Sequence, residues 1–227
     1  MLEIICMKWG EQYGAEHVNR LHEMLRRNVS QPFRLTCFTD RYFESGARLL
    51  PLPVTPKTEG MHGKKLRYTK LWFYSKNCAD LFGGRKALFL DLDVVITGSL
   101  DPLLDSDDDI KLWDDPHQKT PYNSSIVLHK TGTRTAIWDR FDPETSPTVC
   151  ERNKVIGHDQ NWVSVVIGPN EPTWKKSDGI YSFRNDIMRP NLKELPDDAR
   201  IVVFHGPRDA SQESIQVRYP WVKEHWQ

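Results

Sequence analysis

The 227-residue chain carries 31 basic and 31 acidic side chains, so its formal net charge is zero. No overall field draws it to nucleic acid or to anionic lipid. This length buries a substantial core in one large domain, and no stretch approaches the roughly 20 apolar residues of a membrane span.

The first ten residues, MLEIICMKWG, hold too short an apolar run for a secretion signal and lack its basic start. Leu2 to Met7 reads as a buried strand, followed by a loop with Gly10 and Gly14 that carries Trp9 and Tyr13. The spacing of Val18, Leu21 and Leu25, with His22 beside them, predicts a helix with that stripe facing inward. Asn28 and Pro32 stop it. Phe33 to Phe38 is a second strand that ends on Thr39 and Asp40. A β-α-β opening of this kind implies parallel strands and a right-handed crossover.

Ala47 to Leu52 is a weaker strand, and a Pro- and Gly-rich loop follows. Leu66 to Leu81 reads as one helix with Leu71, Tyr74 and Leu81 inward, ended by Gly83 and Gly84. The chain then reaches ALFLDLDVVI, residues 87 to 96. Ala87 to Leu90 is apolar without alternation, the pattern of a strand covered on both faces of a parallel sheet. It ends on Asp91 and Asp93, which extended chain turns to the same side. Open α/β sheets bind ligands at that carboxyl edge. Two close carboxylates repel unless a cation lies between them, and a hard divalent ion with phosphate oxygens suits the position. A solvated turn is the plainer reading of an isolated Asp-x-Asp.

Beyond it, the chain turns at Gly98 to Pro102 and passes an acidic loop, Asp105 to Asp109. Ile110 to Trp113 and Ser125 to His129 read as antiparallel additions to the sheet, and Thr131 to Phe141 as a short helix before a Pro-rich loop. His158 to Ile167 reads as a helix, and the chain is then loop-rich until a last strand, Arg200 to Phe204, ending on His205. There is no repeat, low-complexity tract or linker, so one domain is expected. Cys6, Cys37, Cys78 and Cys150 are widely spaced with no C-x-x-C pair, which predicts a reduced, cytoplasmic protein without a zinc site.

Polar groups thus end three strands: Thr39 and Asp40, Asp91 and Asp93, and His205. Carboxylates suit a hard cation, and an added imidazole tilts the preference from Mg²⁺ towards Mn²⁺.

Five pieces, in order, resemble the retaining glycosyltransferases of family 8, the group of glycogenin and the bacterial lipopolysaccharide galactosyltransferases. They are Thr69-Lys70-Leu71, the Asp91-Leu92-Asp93 motif, Tyr122-Asn123-Ser124-Ser125, Gly157-His158-Asp159-Gln160, and Phe204-His205-Gly206. The resemblance implies a single GT-A domain over residues 1–227, with a Rossmann-like mixed α/β sheet and helices on both faces. Residues 1–97 would form the nucleotide-sugar half and residues 98–227 the acceptor half. It further implies transfer of a hexose from UDP-glucose or UDP-galactose to a saccharide or glycolipid acceptor, with retention, in polysaccharide biosynthesis. Asp91, Asp93 and His205 would hold Mn²⁺ or Mg²⁺, with Asp91 shared with the ribose. Lys70 would face the diphosphate, and Asn123, Asp159 and Gln160 the sugar. Peripheral contact with a membrane stays open.

Two departures stand out. The family's lysine after the histidine is missing from GPRDAS, leaving Arg208 as the nearest cation and Lys223 as a second choice. The first strand continues as Met7-Lys8-Trp9-Gly10, so Trp9 or Tyr13 stacks on the base or packs against the loop, with Asp40 a further donor-side candidate. Each candidate has a plainer reading: Lys70 as an exposed helix lysine, Asn123 in a turn, Asp159 as a helix cap. The rival enzyme class is a haloacid-dehalogenase-type phosphatase using Asp91 and Asp93. Its motif normally lies near the chain start and is joined by a later Gly-Asp-x-x-x-Asp, which is absent here. A catalytically silent nucleotide-sugar-binding domain is the third reading.

Overall fold

A computed structural model describes residues 1–227 except 62, 118 and 153–158, and except the side chains of 63 and 64. In chain order the first elements are β1 (Leu2–Lys8), α1 (Ala15–Asn28), β2 (Phe33–Thr39) and β3 (Arg48–Pro51). A 3₁₀ helix over Gly63–Tyr74 precedes α2 (Lys76–Phe82), β4 (Lys86–Leu90), β5 (Val94–Ile96) and α3 (Asp101–Leu104). Then come β6 (Ile110–Asp114), β7 (Tyr122–Lys130), α4 (Ala136–Asp139), α5 (Ser146–Arg152) and α6 (Asp159–Ile167). The last are β8 (Thr173–Trp174), β9 (Ile180–Ser182), β10 (Ile201–Val203), α7 (Glu213–Arg218) and α8 (Pro220–His225). Among the described residues, backbone pairing orders β3-β2-β1-β4-β7-β6-β8 in a mixed sheet and β5-β10-β9 in a smaller one. This is the α/β architecture expected from the sequence.

The contacts divide the chain into two compact units, each interleaved in sequence. The first is Met1–Leu50, Leu90–Asp107 and Trp174–Gln227; the second is Pro51–Phe89 and Asp108–Thr173.

In the first unit, β1 and β2 pair in parallel with Cys6 opposite Cys37, as the β-α-β reading required. Helix α1 buries His17, Val18, Leu21, Met24 and Leu25. The expected His22 lies half-buried at the edge of that stripe, and His17, one turn earlier, takes the inward place. Strand β10 pairs antiparallel with β5 and parallel with β9. Phe183 and Phe204 stack at 4.1 Å, with Tyr219 edge-on to Phe183 at 5.1 Å, packing the end of β10.

Two expectations for this stretch fail. The chain before β10 is not simply loop, since β9 and a π-helical turn over Phe183–Met188 occupy it, capped where Ser182 Oγ accepts from the Asn185 N–H. The two C-terminal helices α7 and α8 went unread, because six residues each are too few to display a helical period.

In the second unit, the single helix expected over 66–81 is two. The 3₁₀ stretch ends at Tyr74, and Ser75 Oγ accepts the Cys78 N–H to cap a new α-helix. The change from three to 3.6 residues per turn resets the inward face. Leu71 and Tyr74 are therefore buried as expected, but Leu81 is 39% exposed, and Cys78 and Phe82 fill the core instead. Gly83 ends α2 at φ +68°, a left-handed position that glycine takes without cost. The Pro-rich loop after α4 contains α5, which the sequence reading missed. Strands β6 and β7 are antiparallel, but their register jumps. Leu112 faces Val127 and the next residue, Trp113, faces Asn123, so residues 124–126 have no partner in β6.

Candidate functional site

The candidate residues fall into two clusters, one in each unit. In the first unit, Asp91 follows directly on Leu90 and Asp93 begins the lead into β5, both half-buried. Val94 is paired with Val203, and one step further the Phe204 N–H donates to the Asp93 carbonyl at 2.7 Å. Antiparallel pairing thus brings the Asp-x-Asp strand end beside the residue that precedes His205. Asp93 and Phe204, 111 residues apart in sequence, thus meet where two of the predicted polar strand ends lie.

The Tyr13 phenol lies near the same carboxylates. Burial raises its pKa, and the charges of Asp93, Asp91 and Asp209 raise it further, so it stays protonated at neutral pH. Asp40 accepts the Gly10 N–H at 2.8 Å and so fixes the loop that carries Trp9, which is half-buried. Arg208 is half-buried two residues beyond Gly206, whose φ of +77° turns the chain after His205.

Two residues outside the sequence reading tie this cluster together. His17 Nε2 lies 3.1 Å from Asp209 Oδ1, while His17 Nδ1 accepts the Gly14 N–H at 3.2 Å. Because Nδ1 is an acceptor, the neutral ring carries its proton on Nε2 and donates it to the carboxylate. Burial works to raise the Asp209 pKa, but its bonds from His17 and Ser211 outweigh that and hold it below its usual range. Tyr13 packs edge-on to the His17 ring at 5.1 Å, and Trp226 does so at 5.5 Å. Nothing in the sequence joins residues 17 and 209 except the proximity of Asp209 to Arg208.

Asp91, Asp93 and His205 fit a hard divalent ion by donor type, two carboxylates and an imidazole. Among the described residues, no three His, Cys, Asp or Glu side chains are grouped closely enough to hold an ion by themselves.

In the second unit, Lys70 is a buried residue, not the exposed helix lysine of the plainer reading. Its Nζ lies 3.4 Å from Asp159 Oδ2 and 5.1 Å from the centre of the Phe89 ring. Ser124 Oγ donates to the same Asp159 oxygen. Ser124 stands in the stretch of β7 that slips out of register with β6, and such bulges re-aim side chains beside functional sites. Asn123, buried, accepts the Ser125 N–H on its Oδ1 at 2.8 Å and so closes the same irregularity. Gln160, half-buried on the first turn of α6, donates from Nε2 to Thr120 Oγ1 at 3.1 Å. Gly157 and His158, which the sequence reading placed at the opening of this helix, lie outside the described residues.

No protein-family model matches the chain, and no characterised protein matches it by sequence. Solved structures do. The galactosyltransferase LgtC, in complex with donor and acceptor sugar analogues, aligns with a TM-score of 0.64 at 13% identity, over 99% of this chain and 96% of its own. The glycosyltransferase GlyE of Streptococcus pneumoniae TIGR4 aligns at 0.62 and 12% identity, over 99% of this chain and 61% of its own. The bifunctional glycosyltransferase WbbM aligns at 0.66 and 12% identity, over 99% of this chain and 51% of its own. At these identities the likeness establishes the fold, which is the GT-A fold that the sequence resemblance implied.

Proposed function

We propose that the chain is a metal-dependent glycosyltransferase. It moves a hexose from a nucleotide diphosphate sugar, UDP-glucose or UDP-galactose, to a saccharide or glycolipid acceptor, with retention at the anomeric carbon. The observation that carries this reading is the pairing that sets Phe204, the residue before His205, against Asp93 of the Asp-x-Asp motif. Structural likeness to glycosyltransferases over nearly the whole chain supports it. The four cysteines, all buried free thiols, suit the cytoplasmic setting in which such donors are made.

In this reading residues 1–227 act as one transferase domain. Asp91, Asp93 and His205 would hold Mn²⁺, or Mg²⁺, and the ion would supply Lewis-acid stabilisation of the leaving diphosphate. Arg208 and Lys70 add fixed positive charge for the same leaving group, which favours the transition state over the ground state. Tyr13 and Trp9 offer ring surface to the nucleobase, with Asp40 fixing their loop. Asn123 and Gln160 orient sugar hydroxyls as the anomeric carbon gains oxocarbenium character. Asp159, with its Oδ2 engaged by Lys70 and Ser124, is a poor nucleophile, which favours attack by the acceptor from the front face.

The test is a panel of nucleotide sugars with and without Mn²⁺, read as release of nucleoside diphosphate. Release from a UDP-hexose that stops with chelator is expected. Release of phosphate from a phosphomonoester, with no turnover of any nucleotide sugar, would replace this reading by the phosphatase one.

A further inference from the structure

The hydrogen bonds around Thr120 decide which end of the Gln160 amide is free to meet a substrate. Thr120 is buried, and its single hydroxyl proton has two candidate acceptors. One is the Tyr122 carbonyl at 2.8 Å and the other is Asp115 Oδ2 at 3.2 Å. A carbonyl and a carboxylate only accept. Whichever takes the proton, the hydroxyl has none left for Gln160, and at 3.1 Å it can only accept from that side chain. The group facing Thr120 must therefore be the amide nitrogen, whichever way round the amide is first drawn. The carbonyl oxygen Oε1 is left at the other end.

Asp115 fixes the hydroxyl in turn. It is buried, and its carboxylate accepts the N–H groups of His117 at 3.1 Å, Lys119 at 2.9 Å and Thr120 at 3.1 Å. The turn that carries Thr120 is thus built around one side chain, and Tyr122 is the first residue of β7. On the other side, Ser164 Oγ donates to the Gln160 backbone carbonyl at 2.8 Å, one turn along α6.

We infer that Asp115 and Thr120 are positioning residues that hold Gln160 as a hydrogen-bond acceptor, so that its Oε1 meets a hydroxyl that donates its proton and not an oxygen that can only accept. This rests on the transferase reading above and adds the polarity of the contact and the residues that impose it. A glutamate at position 160 could not donate to Thr120, and a threonine without its hydroxyl could not hold the amide.

Two measurements on Thr120→Val and Thr120→Ser test it. The first is the side-chain amide signal of Gln160 in a nitrogen–proton NMR spectrum, assigned by its loss in Gln160→Met. It should shift towards the position of exposed glutamines in Thr120→Val and keep its place in Thr120→Ser. The second is turnover of the nucleotide sugar that wild type accepts. Thr120→Val should lower kcat about three- to tenfold, the scale of one neutral hydrogen bond, with donor KM nearly unchanged, and Thr120→Ser should restore it. An amide signal unmoved in Thr120→Val overturns the geometry. A moved signal with unchanged kcat overturns the positioning role. If wild type turns over no nucleotide sugar, the transferase reading and this role fall together, while the amide shift still decides the hydrogen bond.

Discussion

Lys70 and Asp159 form a buried ion pair, with Nζ 3.4 Å from Oδ2 and only 10% and 7% of the two side chains exposed. The charges lie on elements 89 residues apart in sequence, so the pair couples the 3₁₀ stretch to the start of α6. Removing one partner of a buried pair typically costs about 3–5 kcal/mol, because the other charge stays behind in a poor solvent. Lys70→Met and Asp159→Leu should each lower the melting temperature by several degrees, and the double variant by less than their sum. A double-mutant cycle on unfolding free energies should give a coupling of at least about 1 kcal/mol, and additive effects would show that the pair is not formed.

The metal edge is tested by Asp93→Asn and His205→Ala. Each should lose most Mn²⁺-dependent release of UDP from the donor while keeping the wild-type circular dichroism spectrum. Full turnover by either variant with chelator present would dissolve the proposed ligand set.

In the proposed reading Arg208 takes the part of the lysine that the family resemblance calls for, and Asp209 beside it is bonded to His17. Arg208→Met should weaken UDP binding roughly tenfold, the scale of one charge-assisted hydrogen bond. Asp209→Asn should weaken it less, and amide hydrogen exchange over residues 206–212 should quicken in that variant. UDP affinity unchanged in Arg208→Met would move the diphosphate contact to another cation, with Lys223 the next to test.

Stereochemistry separates front-face attack from a double displacement. The product of an α-configured donor should be α-linked by NMR, and Asp159→Asn should still form it, slowly. A trapped glycosyl adduct in wild type, lost in Asp159→Asn, would make Asp159 the nucleophile after all.

His129 gives the protein an acid-sensitive core. It is fully buried between the rings of Phe73, at 5.2 Å, and Tyr74, at 5.1 Å. Burial pushes its pKa down to about 3 from 6.5; Asp109 opposes the shift and Arg134 adds to it. Above pH 6.5 the ring is neutral in both folded and unfolded chains, and its burial carries no pH dependence. As pH falls from about 6.5 towards 3, only the unfolded chain takes the proton, so stability drops by up to about 1.4 kcal/mol per pH unit. Denaturant midpoints should therefore fall over that window, and His129→Leu should flatten the dependence. An equally steep fall in His129→Leu would place the sensitive group elsewhere.

The alternation-free run before Asp91, the first strand and the β-α-β opening were legible because burial on both faces of a sheet leaves a local pattern. The Asp-x-Asp motif was legible for the same reason, since both acids belong to one strand end. Elements of six or seven residues, such as α5, α7 and α8, left too little period to read, and Ser75 split a helix whose pattern otherwise ran on. What only the tertiary structure decided are the pairings between distant residues. They include Phe204 against Asp93, Asp209 on His17, Lys70 and Ser124 on Asp159, and the Asp115–Thr120–Gln160 chain. A sequence names the donors and acceptors, but a hydrogen bond forms only within about 3 Å, and chain crossovers alone bring residues so far apart in sequence to that distance.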